Sequence, residues 1–245
     1  MSALWATFAR ELRAYFLSPL AYVVLFFVLV LHGAFFSLIV YHLNDPGSPA
    51  GRPFDVFFSG FPFWMVLLFV VPVVTMRLLA EERKTGSIEV LMTAPVTEGQ
   101  VVAGKYLAAL AFFVALWLPT VFYAVLLDVY GELDWWTLAA GYLGIVLIGA
   151  LFLAVGVMAS AFARNQIVAA VVTFAIDVLV FFVAFLPQMV DQPLLQKAFE
   201  HTSILDHMDE FARGIVDTRR LVFYLSTTLF FLFVSARALE DRKWR

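Results

Sequence analysis

The sequence predicts an all-α, polytopic membrane protein of six transmembrane helices with an N-terminal interfacial amphipathic helix. Three observations carry that reading. Of 245 residues, 63% are hydrophobic and only 14% are charged, and the mean hydropathy of +0.91 lies far outside the balance of a water-soluble domain. Six apolar runs are long enough to cross a hydrocarbon core of ~30 Å, which takes roughly 20 helical residues. The runs are continuous rather than alternating, so the backbone is satisfied by helices and not by a barrel.

The chain opens with "ALWATFARELRAYF", where Leu4, Trp5, Phe8, Leu12, Tyr15 and Phe16 recur at spacings of about four. Arg10, Glu11 and Arg13 fall on other faces. Residues 3–17 therefore predict an amphipathic helix, too polar to span and suited to the headgroup layer. Two readings stay open: a membrane anchor for the N-terminus, or an elbow helix that also touches a cytoplasmic partner.

The predicted spans are 19–41, 59–79, 98–127, 137–162, 167–190 and 221–239. The first is too long for a signal-peptide core and lacks a small-residue cleavage site directly after it, so it is expected to stay. Placing both termini in the cytoplasm puts eleven of the sixteen Lys and Arg inside, among them Arg10, Arg13, Arg77, Arg83, Lys84 and Lys105. Five fall outside: Arg52, Lys197, Arg213, Arg219 and Arg220. That bias fits the positive-inside rule. The fourth span repeats small residues one turn apart, as Ala140-x-x-x-Gly144, Ala150-x-x-x-Ala154 and Gly156-x-x-x-Ser160, a pattern for close helix packing. Pro72 and Pro119 are expected to kink the second and third spans.

Composition excludes several functions. A net charge of −3 argues against nucleic acid, since the basic residues sit at span ends and not in a patch. The absence of cysteine removes disulfides, thiolate catalysis and Cys-based metal sites. Gly99-Gln-Val-Val-Ala-Gly104-Lys105 approximates a phosphate-binding loop, but Tyr106 stands where Ser or Thr should hold magnesium. Thr97 and Gln100 form a capping box that starts the third helix near residue 98, so Gly99 and Gly104 are expected inside it. Lys105 is then expected to snorkel to anionic headgroups. No catalytic, cofactor or metal residue is assigned to this chain.

Between the second and third spans, Glu81, Glu82, Arg83 and Lys84 draw the chain into water, and Gly86 permits a turn that a Cβ would resist. Ser87 can cap a short helix with Glu89 in its first turn, Ile88, Leu91 and Met92 on one face, and Pro95 marking its end. Such a helix cannot bury its apolar face against itself. It must lie on the bilayer, pack under the bundle or dock into another protein.

"LLAEERKTGSIEVLMTAPVT" resembles the hairpin of ABC-type export permeases of the type-2 class. "RELRAYFLSPLAYVV" and "ILDHMDEFARGIVDTRRLVFYLS" resemble the corresponding parts of their gliding-motility type. The resemblance implies that residues 81–96 form a cytoplasmic coupling helix inserted into a groove on a separate ATPase subunit, with ATP and Mg bound there and not on this chain. Glu81, Glu82, Arg83, Lys84, Gly86, Glu89, Leu91 and Pro95 would be the coupling residues, the charged ones as polar contacts and Gly86 as the turn. It further implies a homodimer or a heterodimer with a second permease half, in a bacterial inner membrane. An extracytoplasmic accessory protein is compatible with it.

Residues 191–220 are read as short external helices before the last span. Ser203-x-x-Asp206 makes a capping box and Gly214 a stop, framing a helix that carries Asp206, His207, Asp209, Glu210 and Arg213. The resemblance makes this segment a lid over the exit. His201 and His207 with loosely placed carboxylates are a weak metal pattern, which a solvated helix face explains equally well.

Two ionisable residues fall inside the spans, His32 and Asp177. Both lie roughly 15 to 18 Å deep at 1.5 Å per residue. An isolated charge at that depth costs at least ~2.5 kcal/mol, so Asp177 is expected to be charged only if paired or facing a wet cavity. The pair keeps two alternatives open: a stand-alone proton-coupled carrier or an intramembrane enzyme. A third alternative is a non-transporting scaffold that recruits a cytoplasmic protein through the hairpin.

Overall fold

The helices that start at Glu98, Trp135, Gln166 and Ile204 each follow a residue whose side chain caps them. The computed structural model describes residues 3–43, 53–84, 97–130, 133–186, 192, 199 and 201–243, and every regular element among them is helical. Helix α1 runs over Ala3–Leu17 and α2 over Pro19–Leu43; the second span comprises α3, Pro53–Ser59, and α4, Phe61–Thr75, followed by α5, Ala80–Lys84. Helix α6, Glu98–Trp117, passes through a 3-10 turn at Leu118–Thr120 into α7, Val121–Tyr130. Then come α8, Trp135–Phe162, α9, Gln166–Val183, α10, Ile204–Ala212, and α11, Thr218–Lys243.

Thr97 accepts from the Gln100 N–H while the Gln100 side chain accepts from the Thr97 N–H, the reciprocal capping box expected there. Asp134, Asn165 and Ser203 cap α8, α9 and α10 in the same one-sided way, each side-chain oxygen accepting a first-turn N–H. Gly214 adopts φ +82, the left-handed conformation that suits glycine after a helix end.

Among the described residues, six helical stretches are long and apolar enough to cross a bilayer: Pro19–His42, Pro53–Glu82, Glu98–Val129, Trp135–Phe162, Gln166–Val183 and Thr218–Glu240. Two of them are broken where hydropathy is uninterrupted. The second breaks at Gly60, where a Cβ would stand 2.5 Å from the Phe35 ring and 2.6 Å from the Val56 carbonyl. It stops again at Thr75, four residues short of the expected end, although Pro72 itself stays within α4. The third breaks at the 3-10 turn that contains Pro119, where the missing N–H and fixed φ of proline disfavour a continuous α-helix.

Helix α8 is the axis of the bundle, and its small residues explain why. A Cβ on Gly141 would stand 2.2 Å from Phe58 of α3, one on Gly144 2.8 Å from Phe211 of α10, one on Gly149 2.2 Å from Phe113 of α6, and one on Gly156 2.3 Å from Thr75 of α4. Each glycine thus receives a side chain from a different neighbour, and removing the Cβ lets the helices approach. By contrast α2, α9 and α11 leave large apolar side chains uncovered, including Phe26, Val30, Ile167, Val171, Leu229 and Phe230.

Two ends follow from this packing. Helices α1 and α5, the start of α6 and the close of α8 gather at one, called here the α1 end. Helices α3 and α10 and the starts of α8 and α11 gather at the other, the α10 end.

Candidate functional site

The chain leading into residues 81–96 is fastened to the core by backbone capping. After α4 stops, the N–H groups of Leu79 and Ala80 both donate to Ser160 Oγ of α8 at 3.1 Å, and Ser160 Oγ donates in turn to the Met76 carbonyl at 3.4 Å. Ser160 is fully buried, so it satisfies in a dry environment the donors that a helix start leaves open. The predicted small-residue pair Gly156-x-x-x-Ser160 therefore serves two purposes: Gly156 admits Thr75, and Ser160 holds the turn that follows. Arg77 in that turn donates to Glu81 Oε2 at 3.3 Å and to Ser18 Oγ at 3.2 Å.

Helix α1 docks against this root and the start of α6. Gly104 provides the contact, since a Cβ there would stand 2.9 Å from Thr7 Cβ and 3.0 Å from the Leu4 carbonyl oxygen. Farther along α1, the Tyr15 hydroxyl donates to the Val74 carbonyl at 2.7 Å and its ring stacks on Phe112 at 4.9 Å. Burial raises the Tyr15 hydroxyl above its ordinary value, which keeps it a donor.

At the centre of the junction is Lys105, 1% exposed. Its Nζ lies 2.9 Å from Glu11 Oε1 of α1 and 2.8 Å from Glu82 Oε1 of α5. Arg10 reaches the same two carboxylates at 2.9 and 3.4 Å from the more exposed side. A buried ammonium is tolerated only when paired and hydrogen-bonded, and here two helices supply one carboxylate each. Burial alone would raise Glu11, but Lys105 and Arg10 outweigh it and hold the carboxyl below its usual range.

This geometry corrects the expectation for Lys105, which is not extended to headgroups but closed in by α1 and α5. The glycine and lysine of the phosphate-loop-like stretch have a different purpose: Gly104 admits α1 and Lys105 pins it. It also changes the role of Glu82, whose side chain is 17% exposed and makes its polar contact inside the chain. Glu81 is at the surface beside Arg77, with 43% of its side chain exposed. Arg83 and Lys84 end α5. Gly86, Glu89, Leu91 and Pro95 lie outside the described residues.

The intramembrane pair is not brought together. His32, 1% exposed, donates from Nδ1 to the Val28 carbonyl one turn back at 2.8 Å, and its ring packs at 4.5 Å from Trp117 and 5.5 Å from Phe57. Asp177 shares the inward stripe of α9 with Ala169 and Thr173. Among the described residues no hydrogen bond or ion pair joins His32 to Asp177, and His32 Nε2 and Asp177 Oδ2 have no hydrogen-bond partner. The chain-of-relay arrangement that a stand-alone carrier would need is absent from these contacts.

At the α10 end the charged cluster is divided. His207, fully buried, shares a hydrogen bond between Nδ1 and the Tyr224 hydroxyl at 2.9 Å. Burial first, then the nearby Arg220 charge, lowers the His207 imidazole to about 4. Glu210 accepts from Arg220 through both oxygens at 3.0 Å, the two-pronged geometry that guanidinium favours. Asp209 and Arg213 face outward, and Asp206 is half-buried. The segment is further fixed by Trp136 Nε1 donating to the Gly214 carbonyl at 3.0 Å, and by Ser203 Oγ donating to the Ala184 carbonyl at 3.1 Å.

With this geometry established, residues 58–228 match the family described as ABC-2 family transporter protein. The chain belongs to that family. The match runs from the second span through α10 into α11 and so includes the hairpin and its Lys105 root. No curated protein is a significant match to the chain. As an ABC-2 permease subunit, a multi-pass membrane protein and not itself the catalytic component, it has two structured ends to account for. Of its residues, Glu11, Lys105 and Ser160 were not assigned to the site from sequence. Lys105 had one available signal: a lysine seven residues inside a helix that starts at Glu98 lies about 10 Å along the axis, too deep to be dismissed as a flank.

Proposed function

We propose that this permease is the membrane-spanning half of an ATP-driven exporter of the type-2 class, closest to its gliding-motility type. ATP and Mg bind on a separate cytoplasmic ATPase subunit, and residues 81–95 dock into it. The α1 end is then cytoplasmic, with both termini inside a bacterial inner membrane. Closure of an ATPase pair moves the hairpins of two permease halves, and the bundle converts that movement into export of a substrate or into mechanical work. The uncovered apolar faces of α2, α9 and α11 meet lipid or the second half. Helix α10, closed over the start of α8, is the external lid.

The observation that most supports this reading is the way the hairpin is rooted. A loop that merely crossed between spans would need no buried cap from α8 and no buried lysine; a lever arm needs a stiff base. Glu81, Arg83, Lys84, Gly86, Glu89, Leu91 and Pro95 are the docking residues in this account, while Glu82 belongs to the base.

The test is purification from mild detergent of the wild type and of Gly86→Pro and Glu89→Ala variants, with identification of co-purifying chains and assay of ATP hydrolysis. An ATPase subunit that accompanies the wild type and is lost or unstimulated with the variants is the expected result. Absence of any nucleotide-binding chain from the wild-type preparation, with the variants unchanged, would contradict it.

A further inference from the structure

The junction at Lys105 joins three segments that are remote in sequence. Glu11 is on α1, Glu82 on α5 and Lys105 on α6, and the two Lys105 bonds measure 2.9 and 2.8 Å. The Lys105 side chain is 2% exposed and, among the described residues, has its partners only in these two acids, whereas each acid is 17% exposed and is also reached by Arg10. Drawing α1 and α5 away together would leave a buried ammonium without water, which is costly. The rest of the junction has the same character, with Gly104 giving α1 a close approach to α6 and Ser160 holding the entry to α5 on α8.

We propose that Lys105 is a positioning residue for energy coupling: by binding Glu11 and Glu82 at once, it makes α1, the hairpin root and the third span move as one body. Movement received by residues 81–95 then reaches α1 and α6 directly through these two ion pairs. Helix α1 is a working strut of the lever and not only a membrane anchor. This inference rests on the reading above for its consequence, but the one-body behaviour belongs to the permease itself.

Two arms separate the two claims. In the first, the permease alone in nanodiscs is compared by amide hydrogen exchange as wild type, as Lys105→Met, and as the neutral triple variant Lys105→Met, Glu11→Gln, Glu82→Gln. The triple variant keeps volume and strands no charge, a replacement that buried ion pairs often tolerate. The expected result is exchange about tenfold faster at α1 and at α5 together, with α10 unchanged. Loosening of one of the two without the other overturns the inference, whatever partner the permease has.

In the second arm the co-purified complex is assayed for ATP hydrolysis. The triple variant is expected to retain its bound ATPase in wild-type amount while the stimulated rate falls by about tenfold. Lys105→Arg, which keeps a cation between Glu11 and Glu82, is expected to hold most of the stimulated rate where Lys105→Met loses it, a rescue by charge that packing volume alone would not give. Full stimulation in the triple variant overturns the inference. If no ATPase accompanies even the wild type, the functional reading fails and the first arm alone decides the one-body claim.

Discussion

At the α1 end, Lys105 gathers carboxylates from positions 94 and 23 residues away, whereas at the α10 end the ion pair Glu210–Arg220 and the hydrogen bond His207–Tyr224 span only 10 and 17 residues. Both ends lean on the same axial helix, through Gly156 and Ser160 at one and Gly144 at the other. The contrast lies in what each end unites. Local charged and histidine pairs, with one neutral long-range bond from Trp136 to Gly214, fix α10 to its neighbours, so that segment is held in place. Long-range pairing to one buried charge unites three segments, so displacement of any one is felt by the other two.

The largest effect that would expose this difference is truncation of the central cation at each end. Lys105→Ala leaves Glu11 and Glu82 with the half-exposed Arg10 as their remaining cation among the described residues, and should cost about 3 kcal/mol, the low end for a broken buried pair. Arg220→Ala leaves Glu210 one-third exposed and able to take up water, so its loss should be smaller, about 1–2 kcal/mol. Thermal unfolding of the purified permease in one detergent measures both. Equal losses would remove the distinction between a stranded and a hydrated charge.

Acid should act on the two ends in sequence. His207 is held neutral in the fold at a value near 4, against about 6.5 for an unfolded histidine. Its contribution is complete above pH 6.5 and is lost as the pH falls toward 4, because the unfolded chain takes up the proton first. That amounts to at most about 3 kcal/mol. Glu11 is shifted downward as an acid, so its contribution survives that window and fades only below the ordinary carboxylate range. Between pH 6.5 and 4.5, hydrogen exchange should therefore quicken in α10 before α1, and a His207→Gln variant should lose the early phase.

A smaller effect tests the root of the hairpin. Ser160→Ala leaves the Leu79 and Ala80 N–H groups unpaired in a buried site, at about 1–3 kcal/mol. Exchange at residues 79–84 should rise while α10 is unaffected. An unchanged pattern would mean that α5 is held from elsewhere.

The six spans were legible because length and hydropathy are properties of the local chain. The Thr97–Gln100 box, the Ser203 cap and the stop at Gly214 were legible for the same reason, each being complete within a few residues. The start of α4 beside Gly60 agrees with the span expected from 59, but its stop at Thr75 was not legible, since the residue that holds the turn after it, Ser160, is 81 positions from Leu79. Lys105 was misread on the same ground. A lysine near a span end ordinarily reaches for headgroups, and nothing near position 105 announces a glutamate at position 11. The inward turn of Glu82 was hidden in the same way, because a run of four charged residues at a span end reads as uniformly solvated.

The one-body claim can be tested most directly by covalently fusing what Lys105 holds. Since the chain has no cysteine, Tyr15→Cys with Phe112→Cys introduces a single possible disulfide between α1 and α6, at the contact where the two rings stack at 4.9 Å. Stimulated ATP hydrolysis by the reconstituted complex would be compared before and after oxidation. If α1 and α6 travel together, the cross-linked complex should keep its wild-type rate. A rate that collapses on oxidation and returns with reductant would mean that α1 slides on α6 during the cycle, and would contradict the account.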